Sequence, residues 1–289
     1  MSAPPLTVGV VGAGRVGAVL GAALVAAGHR VVATAAVSAA SRERAALLLP
    51  DAAVRPADEV ARQATDLLLL AVPDDALASV VAGLAATGAL HPGQVVAHTS
   101  GAHGLAVLGD ADVNGMALHP AMTFTGTAAD LARLPGMAWG VTARDRAFAT
   151  RLVADLGGVP EWVAEDSRPV YHAGLAHGAN HLVTLVNEAA DLLRAAGVDD
   201  PERVLRPLLT AALDNALRLG DAALTGPVSR GDAGTVGRHL DRIPAESQAA
   251  YLALARRTAD RAIAAGRLRP QDAAPLLDAL ARAAVGSAL

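Results

Sequence analysis

The run Gly12-Ala13-Gly14-Arg15-Val16-Gly17 constrains this chain more than any other feature, because it follows an apolar segment, Val8–Val11, and opens a helical pattern, Val16–Ala27. In a strand–turn–helix unit of this spacing each glycine has its own task. Gly12 permits the tight turn, Gly14 lets backbone approach a pyrophosphate, and Gly17 lets the helix lie close on the strand. The N-terminus of the helix then presents free N–H groups and a partial positive charge to phosphate. Gly12, Ala13, Gly14, Arg15, Val16 and Gly17 are therefore expected to cradle a dinucleotide.

Such a unit needs parallel strands beside it, and the first half of the chain supplies them. Short β-branched runs recur at Thr7–Val11, Val31–Thr34, Leu67–Val72, Gln94–His98, Gly115–His119 and Met137–Val141. Helical patterns fit between several of them, notably Val16–Ala27, Asp75–Ala86 and Arg144–Leu156, as expected of βαβ units. Strand signals stop near Ser167. Arg168–Ala196 contains no proline after Pro169, which predicts one long helix capped at Gly197, and further helical segments follow. The expectation is an α/β dinucleotide-binding domain over residues 1–165 and an all-helical substrate and dimerisation domain over 166–289.

Composition removes whole classes of chemistry. All 24 residues of the Lys+Arg tally are arginine, and there is no cysteine. That excludes a lysine Schiff base, a P-loop lysine, a thiolate nucleophile and a disulfide. A net charge of -4 with 2% aromatic residues argues against a nucleic-acid partner. Residues 1–40 carry only Arg15 and Arg30 as formal charges, without the cationic start of a secretory signal. A soluble, cytoplasmic protein without a membrane partner is expected.

The second strand bears on the cofactor. A site for NAD usually places Asp or Glu about twenty residues beyond the glycines, at the ribose 2′-hydroxyl. Here Thr34–Arg42 holds no acid, and the first is Glu43. Ser38, Ser41 and Arg42 can instead hold a 2′-phosphate, so NADP(H) is expected over NAD(H). Ser41 could equally cap a helix over Arg42–Leu49 and leave Arg42 in solvent. Asp66–Val72 reads as a buried central strand, and Val72 with Pro73 would line the ligand crevice beyond its carboxyl end, or simply end the strand. Two further strands end in His98-Thr99-Ser100-Gly101 and His119-Pro120. Ser100, Gly101 and His119 are the expected substrate-binding groups there, although a histidine in such a place is often only bonded to backbone.

Three segments carry a resemblance: His98–Gly104, Ala117–Phe124 and Thr225–Asp232. With the two-part layout they resemble Rossmann-like proteins with a DUF2520 helical domain, within the 6-phosphogluconate dehydrogenase-like superfamily that includes ketopantoate and pyrroline-5-carboxylate reductases. The resemblance covers nearly the whole chain. It implies a Rossmann domain followed by an all-α domain, hydride transfer with a nicotinamide cofactor, and a homodimer. Related β-hydroxyacid dehydrogenases place Lys-x-x-Asn early in the long helix, and the matching stretch here is His177-Gly178-Ala179-Asn180. His177 is thus the expected acid–base group and Asn180 the orienting one. Imidazolium can donate to a developing alkoxide, so the departure from lysine is chemically tolerable. His177 and His181 have the spacing of a two-His site but no third ligand, and no metal is expected. Arg230, in the Gly226–Asp232 turn, either holds a substrate carboxylate or pairs with Asp232. The expected function is NADP(H)-dependent reduction of a small carboxylate-bearing carbonyl or imine, a ketopantoate-type 2-oxoacid or a pyrroline. The alternative is an NADP(H)-binding sensor or partner subunit without catalysis.

Overall fold

The computed structural model describes residues 4–286. Contacts divide the chain into two compact units, Met1–Gly178 and Ala179–Leu289.

The first unit is built on one eight-stranded sheet: β1 Thr7–Val11, β2 Arg30–Ala35, β3 Ala53–Val54, β4 Leu67–Leu70, β5 Val95–His98, β6 Asn114–Pro120, β7 Ala138–Ala143 and β8 Val159–Trp162. The strands run in the order β3-β2-β1-β4-β5-β6-β7-β8. Pairing is parallel throughout except between β6 and β7. Parallel strands covered on both faces lose the alternation of polar and apolar residues. Leu67–Leu70 shows this, with all four residues buried. Helices α1 Arg15–Ala26, α2 Ala39–Leu48, α3 Ala57–Gln63, α4 Asp74–Ala86 and α5 Arg146–Asp155 complete the α/β layers. One core packs Leu20, Leu24, Trp139 and Leu152 against Val8 and Val10, and a second packs Val60, Leu77 and Val81 against Leu68 and Leu70.

Three details depart from the sequence expectation. β4 ends at Leu70, so Val72 and Pro73 lie in the loop beyond it, where Pro73 occupies the cap position of α4. The short β3 and β8 carry no sequence signal; β8 contains Pro160, which a terminal strand tolerates because one of its sides needs no donor. The long helix is not uniform. It runs as α6 Arg168–Leu175, a π-helical turn Ala176–Asn180 and α7 His181–Ala195. Gly174, His177, Gly178 and Asn180 are poor helix formers crowded into one stretch, which is where the regular winding gives way.

The second unit is helical, with α7, α8 Pro201–Leu219, the short α9 Gly226–Ser229, α10 Ala233–Leu240, α11 Ala245–Ala264 and α12 Pro270–Gly286. Gly197 closes α7 as expected, with φ 85° and its N–H bonded to the Arg194 carbonyl. The core of this unit joins Val236, Leu240, Leu252, Ala259, Leu276 and Leu280. No helix among the described residues is long and apolar enough to cross a membrane.

Candidate functional site

The turn from β1 into α1 has two glycines that the protein itself requires and one that it does not. Gly12 has φ 100°, and a Cβ there would lie 2.5 Å from the Ala71 carbonyl oxygen. A Cβ on Gly17 would lie 2.1 Å from the Gly12 carbonyl oxygen and 2.8 Å from the Ala71 Cβ. Gly14, with φ -73°, has an ordinary conformation, and a Cβ there would meet nothing within 4 Å. Open space at the middle glycine is what the close approach of a pyrophosphate to the backbone needs. Gly14 stands at the cap position of α1 without a side-chain cap, and the first turn carries no acid. The N–H groups of Arg15, Val16 and Gly17 therefore have no intrahelical acceptor, while those of Gly12 and Ala13 bond to the Ala35 carbonyl and tie the turn to β2. The Arg15 stem packs against Gly126, whose φ of 82° and close approach both demand glycine.

From this turn a cleft of about 810 Å³ extends along the carboxyl ends of β1, β2 and β4. Val72 and Pro73 line one side of it, and Ser38, Ser41, Arg42 and Arg55 line the end beyond β2 and β3. No carboxylate is among its lining residues. Ser38, rather than Ser41, caps α2: its Oγ accepts the Ser41 N–H at 3.1 Å. The Ser41 hydroxyl turns inward and donates to the Ser38 carbonyl at 2.8 Å. Arg42 is exposed and donates to the Val37 carbonyl, and exposed Arg55 donates to the Val54 carbonyl at 3.2 Å. Sequence reasoning missed Arg55, because β3, which presents it, is only two residues long. These residues fit the adenosine end of a dinucleotide with a 2′-phosphate, since two guanidinium forks and the start of a helix line a cleft without a carboxylate in its wall, although Arg55 Nε also lies 3.8 Å from the Glu59 carboxylate.

Further along the sheet, the ends of β5 and β6 bring Ser100, Gly101 and His119 together as expected. A Cβ on Gly101 would lie 3.0 Å from His119 Nε2 and 2.6 Å from His172 Cδ2, so only glycine fits between the two rings. Helix α6 contributes three residues that sequence reasoning did not assign to the site. Tyr171 places its hydroxyl 3.0 Å from His119 Nδ1, lying across Gly140, where a Cβ would meet that oxygen at 2.4 Å. His172 stands edge-on to His119 with ring centroids 5.9 Å apart. Arg168 is fully buried and donates to the Ser100 carbonyl at 2.6 Å, the Thr142 Oγ1 at 3.0 Å and the Gly140 carbonyl at 3.4 Å. It thereby straps the loop after β5 to β7. Glu165 holds the other end of that loop, accepting the N–H groups of Leu105 and Ala106. The signal for Arg168 and Tyr171 was weak, since nothing in Arg-Pro-Val-Tyr distinguishes a buried strut from a solvated helix start.

Electrostatics keep this region neutral where it meets solvent. Burial pulls His119 down to about 4, with the neighbouring His172 and Arg168 adding to the effect. Burial likewise pulls His98 down to about 4. His98 proves to be a structural group: its Nε2 bonds the Gly104 carbonyl at 2.9 Å and closes the loop. Burial pushes Tyr171 above the usual phenol range. Ser100 is 4% exposed, and its Oγ accepts the His103 N–H at 3.0 Å, leaving its own hydrogen available to donate.

The remaining expected residues are placed as follows. His177 is exposed and lies in the π-helical turn, so the α-helical spacing that pairs it with Asn180 on one face does not run through these residues. Asn180 is exposed at the start of α7. Arg230 follows α9, is exposed, and lines a cavity of about 460 Å³ with Arg267 and Arg269. Asp232 does not form an ion pair with it among the described residues; its carboxylate caps α10 by accepting the Thr235 N–H at 2.9 Å.

Comparison with known proteins agrees with this architecture. Residues 1–120 match the Rossmann-like domain family, and residues 137–258 match the domain of unknown function DUF2520. No curated protein matches the sequence. Among solved structures, the chain resembles a protein of Bacteroides fragilis described as an NADP oxidoreductase, with TM-score 0.76 and 21% identity over 89% of this chain and 98% of that one. It also resembles a protein of Thermotoga maritima, with TM-score 0.65 and 19% identity over 89% and 99%. A third likeness is to the reductive aminase of Aspergillus terreus in complex with NADPH and ethyl levulinate, with TM-score 0.61 and 19% identity over 91% and 95%. At these identities the likeness shows the fold. The chain belongs to the proteins that join a Rossmann-like domain to a DUF2520 domain.

Proposed function

We propose that this protein is a cytoplasmic NADP(H)-dependent reductase acting on a small carbonyl or imine substrate that bears a carboxylate. The observation that carries the cofactor reading is the contrast among the three glycines: packing explains Gly12 and Gly17, whereas the open space at Gly14 faces a bare helix N-terminus. In this reading the N–H groups at the start of α1 hold the pyrophosphate, and Val72 and Pro73 line the path toward the nicotinamide. Preference for the phosphorylated cofactor rests on Ser38, Arg42 and Arg55 in a cleft with no carboxylate among its lining residues. The structures of the Bacteroides and Aspergillus proteins, named for NADP and NADPH, support the same choice.

The bound nicotinamide would supply the hydride. Ser100, Gly101 and His119 would receive the substrate at the ends of β5 and β6, with donors rather than acceptors turned toward it. His177 remains the proposed proton donor, with Asn180 as its orienting partner in the family pattern; π-helical turns recur at functional positions. Arg230 is the proposed anchor for a carboxylate. Exposed Leu208, Leu213 and Leu217 on α8 support a homodimer formed by the helical unit.

The test is direct. Purified protein is incubated with NADPH and a panel of 2-oxoacids and cyclic imines while the reduced-nicotinamide absorbance is followed. Turnover of one member supports the reductase. NADPH binding without turnover across the panel favours a sensor or partner subunit. Light scattering on a sizing column reads the dimer.

A further inference from the structure

We propose that Tyr171 is a positioning residue that holds His119 as the tautomer with its proton on Nε2, so that His119 presents a neutral hydrogen-bond donor to a carbonyl oxygen. The argument begins with the hydrogen bond between the phenol and the imidazole, 3.0 Å between the Tyr171 oxygen and Nδ1. Either group could donate in isolation, but the surroundings are not symmetric. A phenol has one hydrogen to place, and among the described residues His119 Nδ1 is its single acceptor within hydrogen-bonding distance. The phenol oxygen lies across the Gly140 backbone.

If Nδ1 carried the proton, it would donate to the phenol and strand the phenol's own hydrogen in a half-buried position. Leaving such a group unmade costs more than a hydrogen bond gains. With the phenol donating, both groups are satisfied and the proton of a neutral ring resides on Nε2. That atom has no partner among the described residues, is not sealed from solvent, and stands beside Gly101. Burial above all keeps the ring neutral; His172 and Arg168 face it from α6 and act in the same sense, while Asp74 at the start of α4 acts in the opposite one. Which imidazole nitrogen carries hydrogen is set by the bond that the other nitrogen makes, and here that bond is to Tyr171.

The consequence deepens the reductase reading and rests on it. A neutral Nε2–H, together with the free hydrogen of Ser100, calls for an acceptor. A carbonyl oxygen supplies lone pairs, and they gain negative charge as hydride reaches its carbon, so the bond from Nε2 strengthens in the transition state. A protonated imine offers an N–H and no lone pair. Of the two substrate classes proposed above, the site therefore selects the oxo compound.

The tautomer can be read without cofactor or turnover. Protein labelled with ¹⁵N in its histidine rings is examined at pH 7 by long-range ¹H–¹⁵N correlation, with the His119 signals assigned by their loss in His119→Gln. We expect a protonated Nε2 and an unprotonated, hydrogen-bonded Nδ1 in the unaltered protein. In Tyr171→Phe, checked for an unchanged amide spectrum, the ring is expected to become a mixture of tautomers. A wild-type ring protonated at Nδ1, or an imidazole pattern identical in Tyr171→Phe, overturns the proposal. The kinetic arm is separate: for any 2-oxoacid that turns over, Tyr171→Phe should lower kcat about tenfold with little change in KM. A selective imine reductase with no activity on oxo compounds overturns the substrate inference even where the tautomer is confirmed, and absence of all turnover sinks the reductase reading alone.

Discussion

Replacing Gly14 and Gly17 by alanine, one at a time, should separate what the fold needs from what the cofactor needs. At Gly17 the new Cβ would lie 2.1 Å from the Gly12 carbonyl oxygen, and contacts below 3.0 Å do not persist, so the start of α1 must move by about 1 Å. Neither neighbour can rotate away, because one is backbone tied to β2 through the Gly12 N–H and the other is the Cβ of Ala71. Overpacking of this kind costs about 1–3 kcal/mol. The better helix propensity of alanine returns about 1 kcal/mol, leaving a net loss of up to about 2 kcal/mol. Thermal unfolding should register about 2–4 °C for each kcal/mol. At Gly14 the Cβ meets nothing, and φ of -73° suits alanine, so stability without ligand should change by less than about 0.5 kcal/mol. Yet the methyl group occupies the space assigned to the pyrophosphate, and NADPH should bind at least about tenfold more weakly, a loss of about 1.4 kcal/mol. Melting curves with and without NADPH, with calorimetric titration, give both quantities. Equal destabilisation of the two unliganded variants, or unchanged NADPH affinity in Gly14→Ala, would refute the reasoning.

Other expectations follow from the same geometry. Arg42→Ala combined with Arg55→Ala should weaken NADPH by about tenfold or more while leaving NADH nearly unchanged, since each guanidinium contact to phosphate contributes on the order of 1 kcal/mol; titration with both cofactors reads the difference. Arg168→Ala should cost about 1–3 kcal/mol, because it leaves the Ser100 carbonyl without its partner inside the unit; urea unfolding measures it, and a loss below about 1 kcal/mol contradicts the strut. His98 and His119 are held neutral down to about 4, whereas in the unfolded chain they take up protons near 6.5. Unfolding therefore binds protons between those values, and stability should fall as pH drops from about 6.5 to 4, by at most about 1.4 kcal/mol per pH unit for each ring. His98→Asn should flatten that slope. His177→Ala should lower turnover by about 10²-fold or more where a substrate is found; intact turnover removes His177 from the acid–base role and leaves the reductase.

Much of the α/β half was legible because its signals are local. The glycine spacing after Val8–Val11 announced β1 and α1, and the four buried leucines of β4 could hardly sit elsewhere than mid-sheet. Gly197 marked the end of α7 by the same local logic. What the sequence did not announce depends on contacts distant along the chain. β3 has two residues and exists through its pairing with β2, which is why Arg55 was not connected with Arg42. Tyr171 meets His119 across 52 residues, and Arg168 reaches Ser100 across 68. No periodicity records such pairs. The π-helical turn around His177 was hidden for another reason: alanine-rich flanks make an unbroken α-helix look adequate, and only the cluster of glycine, histidine and asparagine hints otherwise.

The central claim is that the cleft beyond β1 and β2 binds a reduced nicotinamide dinucleotide through its 2′-phosphate end. Calorimetric titration of the unaltered protein with NADPH and, separately, NADH tests it directly. Saturable binding of one NADPH per chain, at least about tenfold tighter than NADH, is the predicted result. Binding of neither cofactor, or a clear preference for NADH, would contradict it.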